Sequence, residues 1–342
     1  WLSQRKKRLG ITLLVALLLT LTLGRTRLVI FQGEILGMPY HIQYLDRWGH
    51  NYQEEVETLL TELVYALDPS LPDAEIAQFN ALGCTDFDFT SPFLYAALAK
   101  SKTVYQQTQG AYDPTVLPLV QAWAAYTTSE AIPMHRLRAL VSLDYVVANA
   151  QRGKKLKEGV QLDFRGMLKG HAIDVVANFL KGRGVAHFQV TLDSETIAQG
   201  QPSKRQCWQQ AIHPQVAALA AMAWEVKLDL ANQAVAISDA SQQAGASSQR
   251  SIIDPTTGQP AQNNLLAEVV IAPDGSTADA YATAMMARGL DFAQTLLEQQ
   301  TALAAFLIYR GEDGALAFYA SPNLTMQQTA ETITLQPALE PS

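Results

Sequence analysis

The order of strand-like and helix-like segments constrains the fold of this chain more than any other feature of its sequence. Residues 35–44 alternate loosely and predict a strand, whereas apolar residues between 53 and 67 recur at helical spacing. Farther along, strand candidates come in groups between helices, as at 225–230 and 234–237. Because regular β-α-β alternation is missing, we expect an α+β fold rather than a doubly wound parallel sheet.

Punctuating residues mark the ends of several predicted helices. Ser91 before Pro92 predicts a capped helix start, and Gly289 predicts the end of a helix that begins near residue 278. Residues 170–180 predict another helix, ended by a glycine.

Composition limits the classes of function. The 342 residues, 48% of them hydrophobic, can bury a sizeable core in one large domain or two smaller ones. The formal net charge is −7 and no basic face stands out beyond the first residues, so we expect no nucleic-acid partner. Cys84 and Cys207 lie far apart, form no metal-spaced cluster, and can either pair or remain free.

The N-terminus combines a basic cluster at residues 5–8 with an uncharged run at 9–23, LGITLLVALLLTLTL. The run is shorter than the roughly 20 residues of a spanning helix, and it also fits a signal-peptide core. No cleavage site or lipobox cysteine follows closely, and residues 28–30 extend the apolar region past two arginines that can snorkel. We therefore expect residues 1–30 to anchor the chain in the inner (cytoplasmic) membrane, with its bulk on the periplasmic side.

The segment from Gly110 to Trp123, GAYDPTVLPLVQAW, reads as a turn that presents a carboxylate. Gly110 relieves the backbone after a helix, and Pro114 favours an extended or turn conformation at Asp113. An ordinary exit from a helix into a loop would show the same pattern.

Residues 163–174, DFRGMLKGHAID, lead from a strand through a glycine-bearing turn into a helix. The exposed amides of a helix N-terminus form a natural anion site, and Lys169 adds a charge suited to a phosphate. An ordinary connection with a solvated lysine fits this pattern equally well.

Two further segments carry oxygen side chains. Asp279 and Thr283 are four residues apart and share one face of a helix, where they supply the hard ligands that Mg²⁺ prefers. Such pairs more often reflect a favourable helix dipole at the aspartate and simple packing of the threonine. Residues 251–260, SIIDPTTGQP, form a strand end that runs into a turn, with Asp254 placed to cap it.

These four segments resemble, in order, the signature segments of the ApbE family of flavin transferases. The family patterns are G-A-F-D-P-T-x-x-P-L-x-x-x-W, D-L-G-G-I-A-K-G-Y-A-V-D, S-H-I-I-D-P-R-T-G-x-P and A-D-A-x-A-T-A. The ordered matches extend over about residues 35–320, and on them the chain is identified as a member of the family.

The resemblance implies a fold and a reaction. It implies a single α+β, T-fold-like domain at residues 31–325, with a flavin site between two lobes, followed by a fraying tail at 326–342. The implied reaction transfers FMN from FAD to a threonine hydroxyl of an acceptor protein and releases AMP. Mg²⁺ would bridge the pyrophosphate, and the acceptor would belong to a membrane redox complex.

The resemblance also assigns roles to individual residues. The implied metal ligands are Asp279, Thr283 and the Leu168 carbonyl. The implied FAD-binding residues are Met38, Ala111, Tyr112, Asp113, Asp163, Lys169 and Ile253. The implied catalytic positions are Ser251 and Asp254.

Several family positions are changed in this chain. Ser251 stands where the family has a histidine, and a serine cannot titrate near neutral pH. Ser70 replaces a tyrosine, and Asp193, Ser194 and Asp239 replace glycines. These changes leave two alternatives open: an FAD pyrophosphatase that uses water as nucleophile, and a flavin-binding or assembly protein without catalysis.

Overall fold

The computed structural model describes residues 26–35, 37–126, 133–203, 206–212, 225–240, 252–328 and 332–337. Residues 1–25, most of the expected anchor, and the predicted catalytic Ser251 lie outside the described residues. None of the helices in the described ranges combines the length and apolar character needed to cross a membrane.

The helices and strands follow the chain in mixed order. The α-helices are α1 (Gln53–Leu67), α2 (Glu75–Ala81), α3 (Pro92–Gln107), α4 (Leu117–Ala124), α5 (Met134–Arg138), α6 (Leu168–Gly182), α7 (Gly275–Arg288) and α8 (Leu290–Gln299). The first eight strands are β1 (Arg27–Ile35), β2 (Met38–Asp46), β3 (Asp86–Asp88), β4 (Val146–Ala148), β5 (Arg152–Lys155), β6 (Phe188–Leu192), β7 (Glu195–Gln199) and β8 (Trp208–Ile212). The remaining strands are β9 (Glu225–Leu230), β10 (Gln233–Asp239), β11 (Leu265–Ala272), β12 (Ala304–Arg310), β13 (Leu316–Ala320), β14 (Leu324–Gln328) and β15 (Thr332–Pro337).

The strands form one large sheet and two small ones. The large sheet has eight antiparallel strands in the order β1-β2-β6-β7-β10-β11-β12-β13. A second sheet has the order β14-β15-β9-β8, with β15 parallel to β9, and a third has the order β3-β5-β4. The expected α+β class is confirmed, since helices pack on an antiparallel sheet.

The central strands of the large sheet are buried on both faces. Along β10, Ala234 and Ala236 face the helices, whereas Val235 and Ile237 pack toward the second sheet, for example against Leu228. This alternation follows from the two-residue period of a strand. The resulting layers are helices, large sheet and second sheet.

Helices α6 and α7 meet at a point where only glycine fits. A Cβ atom on Gly170 would lie 2.1 Å from the Gly275 carbonyl oxygen and 2.7 Å from the Cβ of Asp279. The close contact brings the first turn of α6 against the first turns of α7, which positions the site described below.

The ends of the domain differ from the prediction. Residues 28–30, expected to extend the anchor, belong to β1, which pairs along its whole length with β2. The expected tail, 326–342, instead supplies the end of β14 and all of β15, and Ile333 and Leu335 are buried in the core. The alternation of apolar and polar residues in β15 suits a strand that pairs with β9, which is distant in the sequence.

Candidate functional site

A cavity of about 350 Å³ lies beside the N-terminal end of α6 and the middle of α7. This volume falls within the roughly 300–1,000 Å³ that is usual for small-molecule sites. The cavity is lined by Ala111, Tyr112, Asp113, Val116, Val120, Asp163, Arg165, Gly166, Lys169, Glu195, Ser238, Asp239, Ile252, Ile253, Pro255, Asp279 and Thr283.

The cavity gathers most of the residues that the sequence assigned to the site. Those in its wall are Ala111, Tyr112, Asp113, Asp163, Lys169, Ile253, Asp279 and Thr283. They come from four separate segments of the chain, so their assembly in one wall is a property of the fold.

Two hydrogen bonds attach the segment 110–123 to its neighbours in the site. The Asp163 N–H donates to the Pro114 carbonyl over 2.6 Å. The Trp123 indole N–H donates to the Gly258 carbonyl over 2.8 Å. The segment 110–123 is thereby attached both to the turn before α6 and to the segment around residue 258.

Asp279 lies on α7 with its carboxylate at the N-terminus of α6. Its Oδ2 accepts a hydrogen bond from the Gly170 N–H over 2.9 Å, and the side chain is buried. Burial raises the pKa of Asp279, while the Lys169 ammonium acts in the opposite direction. The positive end of α6 favours the ionised form, in which the carboxylate can bind a cation.

Thr283 lies one turn farther along α7 and touches the turn before α6. Its hydroxyl donates to the Gly166 carbonyl over 2.8 Å. A Cβ atom on Gly166 would lie 2.9 Å from Thr283 Cγ2 and 3.0 Å from its Oγ1. Glycine is therefore needed at this position if the carbonyl and the hydroxyl are to stay together.

The carbonyl that accepts from the Thr283 hydroxyl is that of Gly166, whereas the resemblance implied the Leu168 carbonyl as a metal ligand. Leu168 is the first residue of α6 and is not among the residues that line the cavity. A carbonyl within a helix is directed along the helix axis toward the next turn, whereas Gly166 precedes the helix. The Leu168 carbonyl therefore stays a prediction as a metal ligand, and the Gly166 carbonyl beside Thr283 is a second candidate.

Oxygen groups other than carboxylates would have to complete a metal site here. Among the described residues, no group of three or more His, Cys, Asp and Glu side chains is arranged to hold a metal ion. The Asp279 carboxylate, the Thr283 hydroxyl and the Gly166 carbonyl form a mixed oxygen set of the kind that Mg²⁺ accepts.

Lys169 projects into the cavity from the first turn of α6. Its ammonium lies 3.1 Å from Glu195 Oε1, 3.0 Å from Asp193 Oδ2 and 2.6 Å from the Ser194 hydroxyl. Burial lowers the pKa of Lys169, but the carboxylates of Glu195, Asp279 and Asp193 together raise it, so the side chain stays charged. Burial raises the pKa of Glu195 to about 8, against the opposing effect of Lys169.

Asp163 and Arg165 form a second charged pair in the wall. The Arg165 Nε atom donates to both carboxylate oxygens of Asp163 over 2.9 Å. Asn80 supports the preceding residue, because its amide donates to the Leu162 carbonyl over 2.8 Å and its oxygen accepts from the Leu162 N–H over 2.7 Å. Asn80 therefore helps to fix the irregular segment before the turn, where the strand predicted to end near residue 163 is not formed.

Asp113 shapes the loop that enters the cavity. Its Oδ1 accepts hydrogen bonds from the Thr115 N–H over 2.8 Å and from the Thr115 hydroxyl over 2.6 Å, at the start of the short 3₁₀ helix Pro114–Val116. Burial raises the pKa of Asp113 to about 6. The turn predicted from Asp113-Pro114 is confirmed.

Other predicted site residues lie outside the cavity wall. Met38 begins β2, opposite Ile35. Asp254 is buried, and its Oδ1 accepts from the Thr256 N–H and hydroxyl over 2.8 and 2.7 Å. Its carboxylate thus stabilises a turn, as the sequence suggested, and Asp254 is not among the described residues that line the cavity. Ser70 is exposed, and both its N–H and its hydroxyl donate to Asp68.

The prediction missed about half of the cavity wall. The additional lining residues are Val116, Val120, Arg165, Gly166, Glu195, Ser238, Asp239, Ile252 and Pro255. Most of them are sequence neighbours of assigned residues. Glu195, Ser238 and Asp239 lie instead at ends of β7 and β10, where the resemblance had marked Asp193, Ser194 and Asp239 as changed family positions without a site role.

Known proteins of the same shape and sequence pattern are flavin transferases. A FAD:protein FMN transferase of Haemophilus influenzae is 26% identical over 343 residues, covering 94% of this chain and 98% of the relative. Another, of Vibrio cholerae, is 25% identical over 315 residues, covering 86% of this chain and 91% of the relative.

The solved structures that this chain resembles are also flavin transferases. The flavin transferase ApbE of Vibrio cholerae superposes with a TM-score of 0.74 and 25% identity, covering 87% of this chain and 98% of that one. The apo flavinyl transferase ApbE of Pseudomonas stutzeri has a TM-score of 0.74 and 26% identity, covering 87% and 95%. The ApbE family model itself matches residues 36–307, which include the whole cavity wall, and the chain therefore belongs to the ApbE family.

Proposed function

We propose that this protein transfers FMN from FAD to a threonine hydroxyl of an acceptor protein, releases AMP, and requires Mg²⁺. One observation carries the proposal: a single cavity assembles the Asp279 carboxylate, the Thr283 hydroxyl and the Gly166 carbonyl next to the Lys169 ammonium. The names of the relatives, which are FAD:protein FMN transferases, support the same reaction.

The oxygen set fits Mg²⁺. Neighbouring ligands of an octahedral magnesium, at metal–oxygen distances of about 2.0–2.1 Å, are about 2.9 Å apart. The Thr283 hydroxyl and the Gly166 carbonyl are 2.8 Å apart. Asp279 would supply the anionic ligand. When bound, the ion would neutralise charge on the pyrophosphate and on the departing phosphate oxygen.

Side chains that line the cavity would bind and orient FAD. Lys169 lies at the helix N-terminus, where a phosphate oxygen is favoured. The apolar Val116, Val120, Ile252 and Ile253 would keep water away from the reacting phosphorus. The threonine oxygen of the acceptor would attack the phosphorus of the FMN half, and the bond from that phosphorus to the bridging oxygen would break, releasing AMP. Catalysis of this type rests mainly on positioning and electrostatic stabilisation.

The test measures the covalent transfer of flavin to the acceptor protein. The full chain is incubated with FAD, Mg²⁺ and an acceptor domain that carries the threonine, and the acceptor is examined on a denaturing gel for covalent flavin fluorescence. We expect labelled acceptor and an equal amount of AMP. Asp279→Ala should abolish the labelling, whereas Asp291→Ala, on the exposed first turn of α8, should retain it.

The two alternatives give different products in the same assay. Free FMN together with AMP, and no labelled acceptor, would identify a pyrophosphatase that uses water as nucleophile. FAD that stays bound and intact would identify a flavin-binding protein. If Ser251→His strongly increases labelling, the missing family histidine is the group that limits the rate in this chain.

We further propose that residues 9–23 anchor the chain in the inner membrane, with the transferase domain and a redox-complex acceptor on the periplasmic side. The basic residues 5–8 before the uncharged run support this orientation. Cys84 is free and exposed, so a membrane-impermeant maleimide should label it in intact spheroplasts. Labelling that requires lysis would contradict the proposed orientation, and Cys84→Ser is the control for labelling elsewhere.

A further inference from the structure

The Lys169 ammonium is already occupied by groups of the protein itself. It lies 3.1 Å from Glu195 Oε1 and 3.0 Å from Asp193 Oδ2. Glu195 is almost fully buried, with 1% of its side chain exposed, whereas the Asp193 side chain is 42% exposed. Of the two carboxylates, Asp193 is therefore the one that can move away when a ligand arrives.

The backbone at Asp193 is unusual for an aspartate. Asp193 and Ser194 form the two-residue loop between β6 and β7, whose flanking residues Leu192 and Glu195 pair directly. Asp193 has a φ of 54°, in the left-handed region that glycine adopts most readily. Its N–H donates to the Pro39 carbonyl over 2.8 Å, which fixes the loop on β2. The tight turn thus holds a carboxylate beside Lys169 at a position where no side chain is needed for the turn itself.

The cavity wall is strongly acidic. Among the described residues that line it, the carboxyl groups are those of Asp113, Asp163, Glu195, Asp239 and Asp279, and the cationic side chains are those of Arg165 and Lys169. Each of these two cations has a carboxylate partner, Asp163 for the guanidinium and Glu195 with Asp193 for the ammonium. A phosphate that enters without a cation must displace Asp193 from Lys169 and meets repulsion from those carboxyl groups of the wall that are ionised.

We propose that Asp193 makes phosphate binding in this cavity depend on a divalent cation, because its carboxylate competes with a bare phosphate for Lys169. A phosphate that arrives with its cation carries less net charge and relies less on Lys169. Asp193 is then a specificity-determining residue that selects cation-bound pyrophosphate ligands over free anions. This inference rests on the proposed function, which places a pyrophosphate in the cavity.

The test compares ADP binding with and without Mg²⁺ by calorimetry, in the absence of acceptor and of turnover. In Asp193→Gly, which suits the positive φ, we expect ADP affinity in EDTA to rise by about three- to tenfold, the effect of freeing one charge partner. With Mg²⁺ the affinity should change by less than about twofold. The ratio of the ADP affinity with Mg²⁺ to the ADP affinity in EDTA should therefore fall. A merely structural role of Asp193 would change both affinities alike and leave this ratio unchanged.

Two further variants separate charge from shape. Asp193→Asn keeps the size and tolerates the left-handed backbone, so it should shift the ratio in the same direction. Asp88→Asn removes a carboxylate that is 78% exposed, paired with Arg152 and absent from the cavity wall, and should leave the ratio unchanged. Equal changes with and without Mg²⁺, or no change in EDTA, would overturn the inference. If the unaltered protein binds neither ADP nor FAD with Mg²⁺, the proposed function itself is wrong, and the inference falls with it.

Discussion

Asp174 and Asp279 cap each other's helices. Asp279 of α7 accepts from the Gly170 N–H in the first turn of α6, over 2.9 Å. Asp174 of α6 accepts from the Gly275 and Ser276 N–H groups at the start of α7, over 2.6 and 2.8 Å. Each carboxylate satisfies amides that have no partner within their own helix, and each lies at a positive helix end.

The reciprocal caps explain why two distant motifs contribute to one site. They fix the first turn of α6, which carries Lys169, against the face of α7 that carries Asp279 and Thr283. The Gly166 carbonyl, just before α6, is held in place with it. The proposed metal ligands therefore depend on a residue, Asp174, that does not line the cavity.

We predict that Asp174→Ala weakens both the fold and the site. Loss of a helix cap costs about 1–2 kcal/mol, and the loosened start of α7 should raise the Mg²⁺ concentration needed for flavin transfer. Urea unfolding and a Mg²⁺ titration of the transfer rate measure the two effects.

The control for the Asp174→Ala variant is a substitution of another acidic residue at the start of a helix. Asp291 lies in the exposed first turn of α8, and Asp291→Ala should change neither the Mg²⁺ requirement nor, beyond a few tenths of a kcal/mol, the stability. If Asp174→Ala left the Mg²⁺ requirement unchanged, the caps would serve stability alone.

Local signals in the sequence predicted the elements well. The Ser91 hydroxyl accepts from the Phe93 N–H at the start of α3, as a cap should, and α7 ends at Gly289 with a φ of 85°. Such features depend on a few neighbouring residues, so one sequence is enough to predict them.

Long-range relationships were not predictable in the same way. The pairing of β15 with β9 joins segments far apart in the sequence, and nothing local in either strand specifies its partner. The contact between the Thr283 hydroxyl and the Gly166 carbonyl was not predicted, because the direction of a carbonyl there depends on the residue at which α6 begins. Helix ends inferred from sequence are uncertain by one or two residues, which is enough to change which carbonyl faces the site.

We predict that Gly166→Ala impairs metal binding with little loss of stability. The added methyl group would lie 2.9 Å from Thr283 Cγ2, so Thr283 must shift away from the carbonyl. The Mg²⁺ concentration for half-maximal flavin transfer should rise roughly tenfold, about 1.4 kcal/mol of binding free energy. The control is Gly182→Ala at the end of α6, where a Cβ would have no neighbour within 4 Å. Equal Mg²⁺ requirements in the two variants would show that Gly166 is not part of the metal site.

We predict that the Thr283 hydroxyl, rather than the size of its side chain, is required. Thr283→Val is isosteric but removes the oxygen and leaves the Gly166 carbonyl without its donor. The transfer rate at fixed Mg²⁺ should fall by at least roughly tenfold. Thr283→Ser keeps the hydroxyl and should retain most of the rate. A valine variant as active as the serine variant would remove Thr283 from the proposed ligand set.

We predict that one buried carboxylate makes the protein less stable as the pH rises. Glu268 on β11 is fully buried, neither of its carboxylate oxygens has a hydrogen-bond partner among the described residues, and burial raises its pKa well above the usual value. The folded protein therefore keeps the Glu268 proton at pH values where the unfolded chain releases it. The free energy of unfolding is highest below the pKa of Glu268 in the unfolded chain, and it falls as the pH rises toward the pKa of Glu268 in the folded protein. The slope is about 1.4 kcal/mol per pH unit within that window.

Glu268→Gln removes this titration while it keeps the shape of the protonated acid. Below about pH 4, under the unfolded pKa of a glutamate, the variant and the original protein should unfold at similar urea concentrations. Between pH 5 and pH 8 the variant should become progressively more stable than the original protein. Only in the original does deprotonation of Glu268 in the unfolded chain favour unfolding. Glu298→Gln, an exposed substitution on α8, should show no such divergence. Parallel stability curves for Glu268→Gln and the original protein would mean that the Glu268 carboxyl is not protonated in the folded state.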